Sequence, residues 1–496
     1  MTWNRKKIIP IILGILVLGG CLRLFQLGEK SLWTDELVTI ANAGSIIDIQ
    51  SFLAHTRSDD LPKFYSLLFK YWIVLGTSEF TMRMLSVIFG CLLIPTTYAL
   101  GRLFFDTKTS LCAALLTAVS PLLLIYDREI RMYSLFALLS SLSTYSFIRS
   151  LREERTFLWV LYAAVNLLNI YTHYYAFLVL AVQWLFMVIH FRNYKRSLKP
   201  WIGANIFLFL AFAVRLLSFI QDVAYHAPWA LPRERFPFIY AKHFVDFIYI
   251  FFSLSVGQTI LPWNPIAIII FLSMLICLIV SVKKGLTFGQ DQSYLVLLVF
   301  VPIVMGIIFR ISMPRYFVFV APIFFILIAR GFWMLPRKIT LAVALIMLLG
   351  WGYGIANYYQ NKQFHIMAHV DPWRDVAQFL KENLSRDEEV LGVGGGVIPL
   401  GHYYGGLIPG FSERGVLEKV RDLDGAVKKR IWLIYTYQEE YEYWLKSREI
   451  LHKNYRVLIE KKWVHDPDFE LKKKLFRRNF APYRIVATLY ERKSKS

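Results

Sequence analysis

Asp35 and Glu36 are adjacent carboxylates in Ser31-Leu-Trp-Thr-Asp-Glu-Leu37, a few residues beyond the first long apolar run, Ile8 to Leu27. A carboxylate can remove a proton from an attacking hydroxyl. Further along, Arg83, Arg128, Arg131 and Arg315 stand near the ends of apolar runs. Arginines hold a phosphate and stabilise its charge as it leaves. Acids and arginines gathered on one side of a membrane therefore suit transfer from a lipid phosphate. Asp59, Asp60, Glu79, Glu129 and His173 complete the ionisable residues near the run ends. Charges this close to hydrocarbon are expensive, so they usually face a cavity or pair with one another. Local readings also exist. Glu79 and Arg83 are four apart and suit a helix ion pair. Arg128 and Arg131 are three apart on one helix face, from which either can snorkel to headgroups.

The elements that must position these residues are membrane spans. The 496-residue chain is 56% hydrophobic and only 18% charged. Repeated apolar runs of about 20 residues can each cross a hydrocarbon core of roughly 30 Å. Arg5, Lys6 and Lys7 precede the first run, which places the N-terminus in the cytoplasm and the acidic pair just outside the membrane. That run is too long, and too poor in a cleavage site, for a signal peptide. The net charge of +21 sits largely in short loops between runs. There it reports topology and contact with anionic lipid rather than nucleic acid. Cys21, Cys91, Cys112 and Cys277 fall inside the runs and read as small buried hydrophobes.

Hydropathy and charge together predict eleven crossings. After the first, they run about Met84–Phe105, Ser110–Ile125, Tyr133–Ile148, Phe157–Tyr171, Ala176–Phe191, Trp201–Ile220, Pro265–Val282, Tyr294–Phe309, Tyr316–Ile328 and Ile339–Ala356. Phe64 to Gly76 and Ile239 to Val256 read as interfacial stretches. All basic loops then fall on one side. From Asn357 the composition changes, with a helical pattern after Asp371-Pro372 and strand-like runs at Val390–Val393, Ile431–Tyr435 and Tyr483–Tyr490. The expectation is an all-α polytopic membrane domain, residues 1–356, followed by a small extracytoplasmic α/β domain, residues 357–496. Gly392-Val-Gly-Gly-Gly396 lacks the spacing of a nucleotide fingerprint and reads as a flexible turn. His365 and His369 read as solvent-exposed.

The chain resembles the membrane glycosyltransferases of the GT-C class, in the branch with protein O-mannosyltransferases and lipid A aminoarabinose transferases. Asp35-Glu36 matches their acidic pair in the first external loop, and Pro62 with Tyr65 their proline–tyrosine motif. Phe80-Thr-Met-Arg-Met-Leu-Ser-Val-Ile-Phe-Gly90 matches the arginine that opens the second span. Tyr126-Asp-Arg-Glu-Ile-Arg-Met-Tyr-Ser134 and Met313-Pro-Arg-Tyr316 resemble two later motifs. The resemblance implies that Asp35 acts as base toward an acceptor hydroxyl, supported by Glu36, and that Arg83 binds the donor phosphate. Arg128, Arg131 and Arg315 would join it, with Asp60, Lys63, Tyr65, Glu129 and Tyr174 lining the substrate pocket. The chain departs from many relatives in reading Asp59-Asp-Leu-Pro-Lys-Phe-Tyr65, where they carry histidine or lysine before two prolines. Asp60 and Lys63 could relocate a phosphate contact. Alternatively, Asp59, Asp60 and His173 could hold a divalent metal.

The expected activity is transfer of a sugar from a polyprenyl-phosphate donor to a lipid, glycan or protein acceptor, in a multi-pass plasma-membrane protein among membrane lipids. A lipid or solute transporter is the alternative from another class. It calls for ionisable residues in broken helices at mid-membrane, and often an internal repeat. A cell-envelope glycan polymerase or ligase is another alternative, with similar chemistry and a different acceptor.

Overall fold

A computed structural model describes residues 5–46, 64–226, 239–284, 290–308, 313–362, 371–385, 388–393, 397–405, 420, 430–436, 441–465 and 483–493. Contacts divide the chain into two compact units. One joins Met1–Gly28 to Thr39–His365, the other Glu29–Val38 to Ile366–Ser496.

The first unit is an all-α polytopic membrane bundle. Among the described residues, six helical segments are long and apolar enough to cross a membrane: Lys7–Leu24, Glu79–Phe104, Pro265–Lys283, Asp291–Ile308, Pro314–Met334 and Arg337–Tyr359. Five shorter apolar helices accompany them, at Phe64–Leu75, Thr107–Val119, Thr156–Ile170, Ala176–His190 and Val245–Val256. The helix Tyr133–Glu153 is rich in serine and buried along most of its length, an interior position.

Local chemistry sets the helix ends. Ser78 opens the helix Glu79–Phe104 by accepting the Thr81 N–H at 3.2 Å, and Asp106 opens Thr107–Val119 by accepting the Thr109 N–H at 2.9 Å. Two expected spans differ in detail. Ser110 to Ile125 breaks at Ser120, whose hydroxyl accepts the Leu123 N–H at 3.3 Å and whose neighbour Pro121 starts a new short helix, Pro121–Tyr126. Tyr316 to Ile328 begins as a 3-10 turn, Pro314–Val320, and continues as the α-helix Ala321–Met334. All residues from Phe317 to Ala329 are buried, so this segment forms the centre of the bundle. The Cys277 carbonyl lies where a Cβ at Gly331 would stand, so the neighbouring helix Pro265–Lys284 approaches closely there. The described cysteines form no disulfide. At one end of the bundle Arg152 ties three elements, donating to Asp291 Oδ2 at 2.7 Å and to the Leu103 carbonyl at 2.6 Å. The candidate residues of the first unit lie at the other end.

The C-terminal part of the second unit is a four-stranded sheet in the order β1-β2-β4-β3. β1 (Glu389–Val393) runs parallel to β2 (Arg430–Thr436); β4 (Tyr483–Arg492) is antiparallel to both β2 and β3 (Tyr455–His465). Apolar residues cover both faces. Trp432 and Ile434 pack with Trp373, Val376 and Leu380 of the helix Trp373–Asn383, whereas Ile431, Leu433 and Tyr435 pack with Trp444 and Leu451 of the helix Tyr441–Asn454. Burial on both faces explains the unbroken apolar run Ile431–Tyr435. β3 has no such signature, because most of it is exposed. His365, His369 and Gly394 to Gly396 lie outside the described residues.

Candidate active site

Asp35 and Glu36 occupy the first turn of the helix Thr34–Ser45, where the positive end of the helix dipole favours anions. The two acids are not equivalent. Glu36 is fully buried and its Oε2 accepts the main-chain N–H of Trp33 at 3.3 Å. Trp33 also accepts the first helical hydrogen bond, from Leu37 at 3.1 Å. Glu36 thus reaches back to the residue before the helix, as the acid of a capping box does. Asp35 is half-buried.

The segment before this helix is held within its own unit. Leu32 N–H donates to Tyr403 Oη at 2.7 Å, Arg374 N–H to Ser31 Oγ at 3.3 Å, and Arg374 Nη2 to the Lys30 carbonyl at 3.1 Å.

In the membrane unit, Asp127 to Met132 connects two helices and is buried throughout. The segment is a succession of turns, not a helix, so Arg128 and Arg131 do not share a helix face as their spacing suggests. Arg128 Nη2 donates to the Phe25 carbonyl at 2.6 Å, and the guanidinium lies 4.9 Å and 5.1 Å from the ring centroids of Tyr358 and Tyr359. It joins the ends of the first and last long helices. Arg131 Nη1 donates to Thr39 Oγ1 at 3.1 Å and lies 5.7 Å from the Tyr133 ring. Thr39 is one turn beyond Asp35 in the same helix.

Arg83 is buried in the second turn of its helix and donates to the Leu27 carbonyl at 3.0 Å. Tyr65 is also buried; its hydroxyl meets Ser86 Oγ at 2.6 Å, and Ser86 donates to the Arg131 carbonyl at 3.2 Å. Arg315 stands at the start of the 3-10 turn, 5.3 Å from the Tyr316 ring.

His173 is the hub of this end of the bundle. Its ring stacks on Phe136 at 4.6 Å and contacts Tyr133, Tyr175 and Tyr316 at 6.2, 5.4 and 5.6 Å between centroids. Nδ1 accepts the Tyr175 N–H at 3.1 Å, which puts the proton of the neutral ring on Nε2. Burial, reinforced by the nearby Arg131 and Arg315 cations, pushes its pKa down to about 3. The structure therefore brings Arg131 and Arg315 to one neutral imidazole, and sends Arg128 elsewhere. Glu129 is buried in the same connecting segment, and Tyr174 is half-buried beside His173 in sequence.

Asp59, Asp60 and Lys63 lie outside the described residues. Among the described residues no group of three or more His, Cys, Asp and Glu could hold a metal ion.

Sequence reasoning passed over Arg23 and Asp127, which form a fully buried ion pair at 2.7 Å. Arg23 also donates to the carbonyls of Gly19, Ala118 and Thr117, at 3.0, 2.8 and 3.2 Å. A lone arginine inside the first apolar run was the available signal, since a charge there usually pairs with another or with main-chain carbonyls. Gly90 belongs to the same arrangement: an added Cβ would overlap the Asp127 carboxyl group.

The pattern of the Dolichyl-phosphate-mannose-protein mannosyltransferase family matches residues 62–219. No curated protein sequence matches the chain. Among solved structures, the archaeal oligosaccharyltransferase AglB from Archaeoglobus fulgidus, in complex with an inhibitory peptide and a dolichol-phosphate, superposes with a TM-score of 0.55 at 13% identity. The match covers 94% of this chain and 74% of that one. ArnT from Cupriavidus metallidurans bound to undecaprenyl phosphate superposes with a TM-score of 0.54 at 11% identity, over 98% of each chain. Its apo state gives 0.54 at 12% identity, over 96% of this chain and 97% of that one. At such identities the likeness is one of fold alone.

Proposed function

We propose that this chain transfers a sugar from a polyprenyl-phosphate carrier to a hydroxyl of a lipid, glycan or protein acceptor at the outer face of the plasma membrane. The observation that carries the proposal is the gathering of Arg131 and Arg315 around neutral His173, at the bundle end where several connecting segments meet. Such a cluster suits a phosphate anion entering from the lipid. The fold supports the same donor class, since two of its likenesses hold dolichol-phosphate and undecaprenyl phosphate. So does the mannosyltransferase family pattern over residues 62–219. Nucleotide sugars stay in the cytoplasm, whereas lipid-linked sugars are presented within the bilayer.

In this reading Asp35 takes the proton of the acceptor hydroxyl as its oxygen attacks the anomeric carbon. The bond from that carbon to the phosphate oxygen breaks, and its electron pair leaves with the polyprenyl phosphate. Arg131 and Arg315 hold the departing charge, and Arg83 binds the donor phosphate. Glu36 keeps the first turn in place through Trp33. Arg128 serves the scaffold.

The test is transfer by the purified chain in proteoliposomes offered a panel of polyprenyl-phosphate sugars. The expected result is a glycosylated product from at least one donor; no product from any of them overturns the proposal.

A further inference from the structure

The helix Trp373–Asn383 follows Pro372, which supplies no side-chain cap to its first turn. The N–H of Arg374 is one of the donors left over at such a helix start. Ser31, 343 residues away, accepts it, and the guanidinium of Arg374 reaches the Lys30 carbonyl. That guanidinium lies 5.9 Å from the Tyr403 ring centroid. Tyr403, 371 residues from Leu32, accepts its buried N–H. The Tyr403 carbonyl is itself held by Lys381 Nζ at 2.9 Å. Lys30, Ser31 and Leu32 are thus gripped in succession by two helices of the C-terminal domain. Trp33 and the turn carrying Asp35 come next.

The cap from Glu36 keeps this turn helical, but a local cap cannot decide where the helix begins within its own unit. The grip on residues 30–32 can. We propose that Arg374 and Tyr403 are positioning residues for sugar transfer, which fix the start of the acidic helix and make the C-terminal domain a working part of the enzyme. This rests on the transferase reading above. A displacement of about 1 Å in a reacting group can cost on the order of 100-fold in rate, so a clamp this close to Asp35 has leverage on turnover.

The experiment uses the full chain in detergent with four variants. Tyr403→Phe keeps the ring and removes the acceptor of the Leu32 N–H. Arg374→Met keeps length and removes the Lys30 contact, and Arg374→Lys restores a donor. Ser31→Ala is the mildest and guards against misfolding of the others. Hydrogen exchange is read on the peptide covering residues 29–37, transfer on the donor found active in the panel, and binding on undecaprenyl phosphate. In Tyr403→Phe, exchange at Leu32 should accelerate and kcat fall ~10- to 100-fold, while KM for donor and undecaprenyl phosphate binding stay within about twofold. Arg374→Met should act likewise, Arg374→Lys should recover part of kcat, and Ser31→Ala should lower it several-fold. Unchanged exchange overturns the clamp. Faster exchange with unchanged kcat overturns the positioning role. A wild-type chain that transfers nothing overturns the transferase reading and this role with it, even if exchange responds.

Discussion

Glu36 Oε2 accepts the main-chain N–H of Trp33 at 3.3 Å, so one member of the acidic pair is engaged in holding its own helix start. Its neighbour Asp35 is half-buried in the same turn. The two adjacent carboxylates therefore have different surroundings, and substitution should tell them apart.

Asp35→Asn should reduce transfer by about 10²- to 10⁴-fold, the usual contribution of a general base, with folding and donor binding largely retained. Glu36→Gln keeps an acceptor for Trp33 and should lose far less activity than Glu36→Ala. Steady-state transfer, with expression and donor binding on the same preparation, decides it. Full activity in Asp35→Asn removes the base assignment.

Arg131 and Arg128 should part in the same way. Arg131→Ala should weaken donor binding by roughly 1.5–3 kcal/mol, the worth of a charge-assisted hydrogen bond, and Arg131→Lys by less. Arg128→Ala should instead lower thermal stability, by releasing Phe25, Tyr358 and Tyr359, and leave donor affinity nearly unchanged. Equal losses of donor binding in both variants would contradict this division.

The ion pair of Arg23 and Asp127 is fully buried, so breaking it strands a charge. Asp127→Ala should cost about 3–5 kcal/mol, measured as denaturant or thermal stability in detergent. Gly90→Ala pushes a methyl group into the same carboxylate and should cost about 1–3 kcal/mol through overpacking. A neutral effect in both would mean that the pair is dispensable.

His173 gives stability a pH dependence whose sign is fixed. Its pKa in the folded chain, about 3, lies below the 6.5 of a free imidazole. As pH falls from 6.5, the unfolded chain takes up a proton that the native ring refuses, and stability drops until about pH 3. Between pH 6.5 and 5 this group should remove on the order of 2 kcal/mol. Thermal melts at the two pH values should show a smaller drop in His173→Gln than in the wild type. An equal drop would locate the effect in other groups.

Much of the fold was legible in the amino-acid order. Ile8–Leu27 and Pro265–Val282 announce themselves because a lipid-facing helix must be apolar for its whole length. Ile431–Tyr435 does so because both faces of its strand are covered. β3 did not, since its exposed residues carry no alternation that hydropathy can detect. The tenth span was recognisable as apolar, but not as the buried centre of the bundle, because lipid and protein interior ask for the same side chains.

The candidate site divides along the same line. Residue types alone determined that this is a membrane protein and that acids and arginines collect near helix ends, since a charge beside hydrocarbon must serve a purpose. They also singled out Asp35 and Glu36 as a pair. Only the tertiary structure decided where each arginine goes. Arg128 and Arg131 sit three apart in a chain that turns instead of coiling, so one reaches Phe25 and the last long helix while the other reaches Thr39 and the surroundings of His173. The turn around Asp127 depends on an arginine more than a hundred residues earlier and on the missing side chain of Gly90. The grip on Lys30 to Leu32 depends on groups more than three hundred residues later. Spacing along a chain can specify a helix face, but not where two distant segments meet.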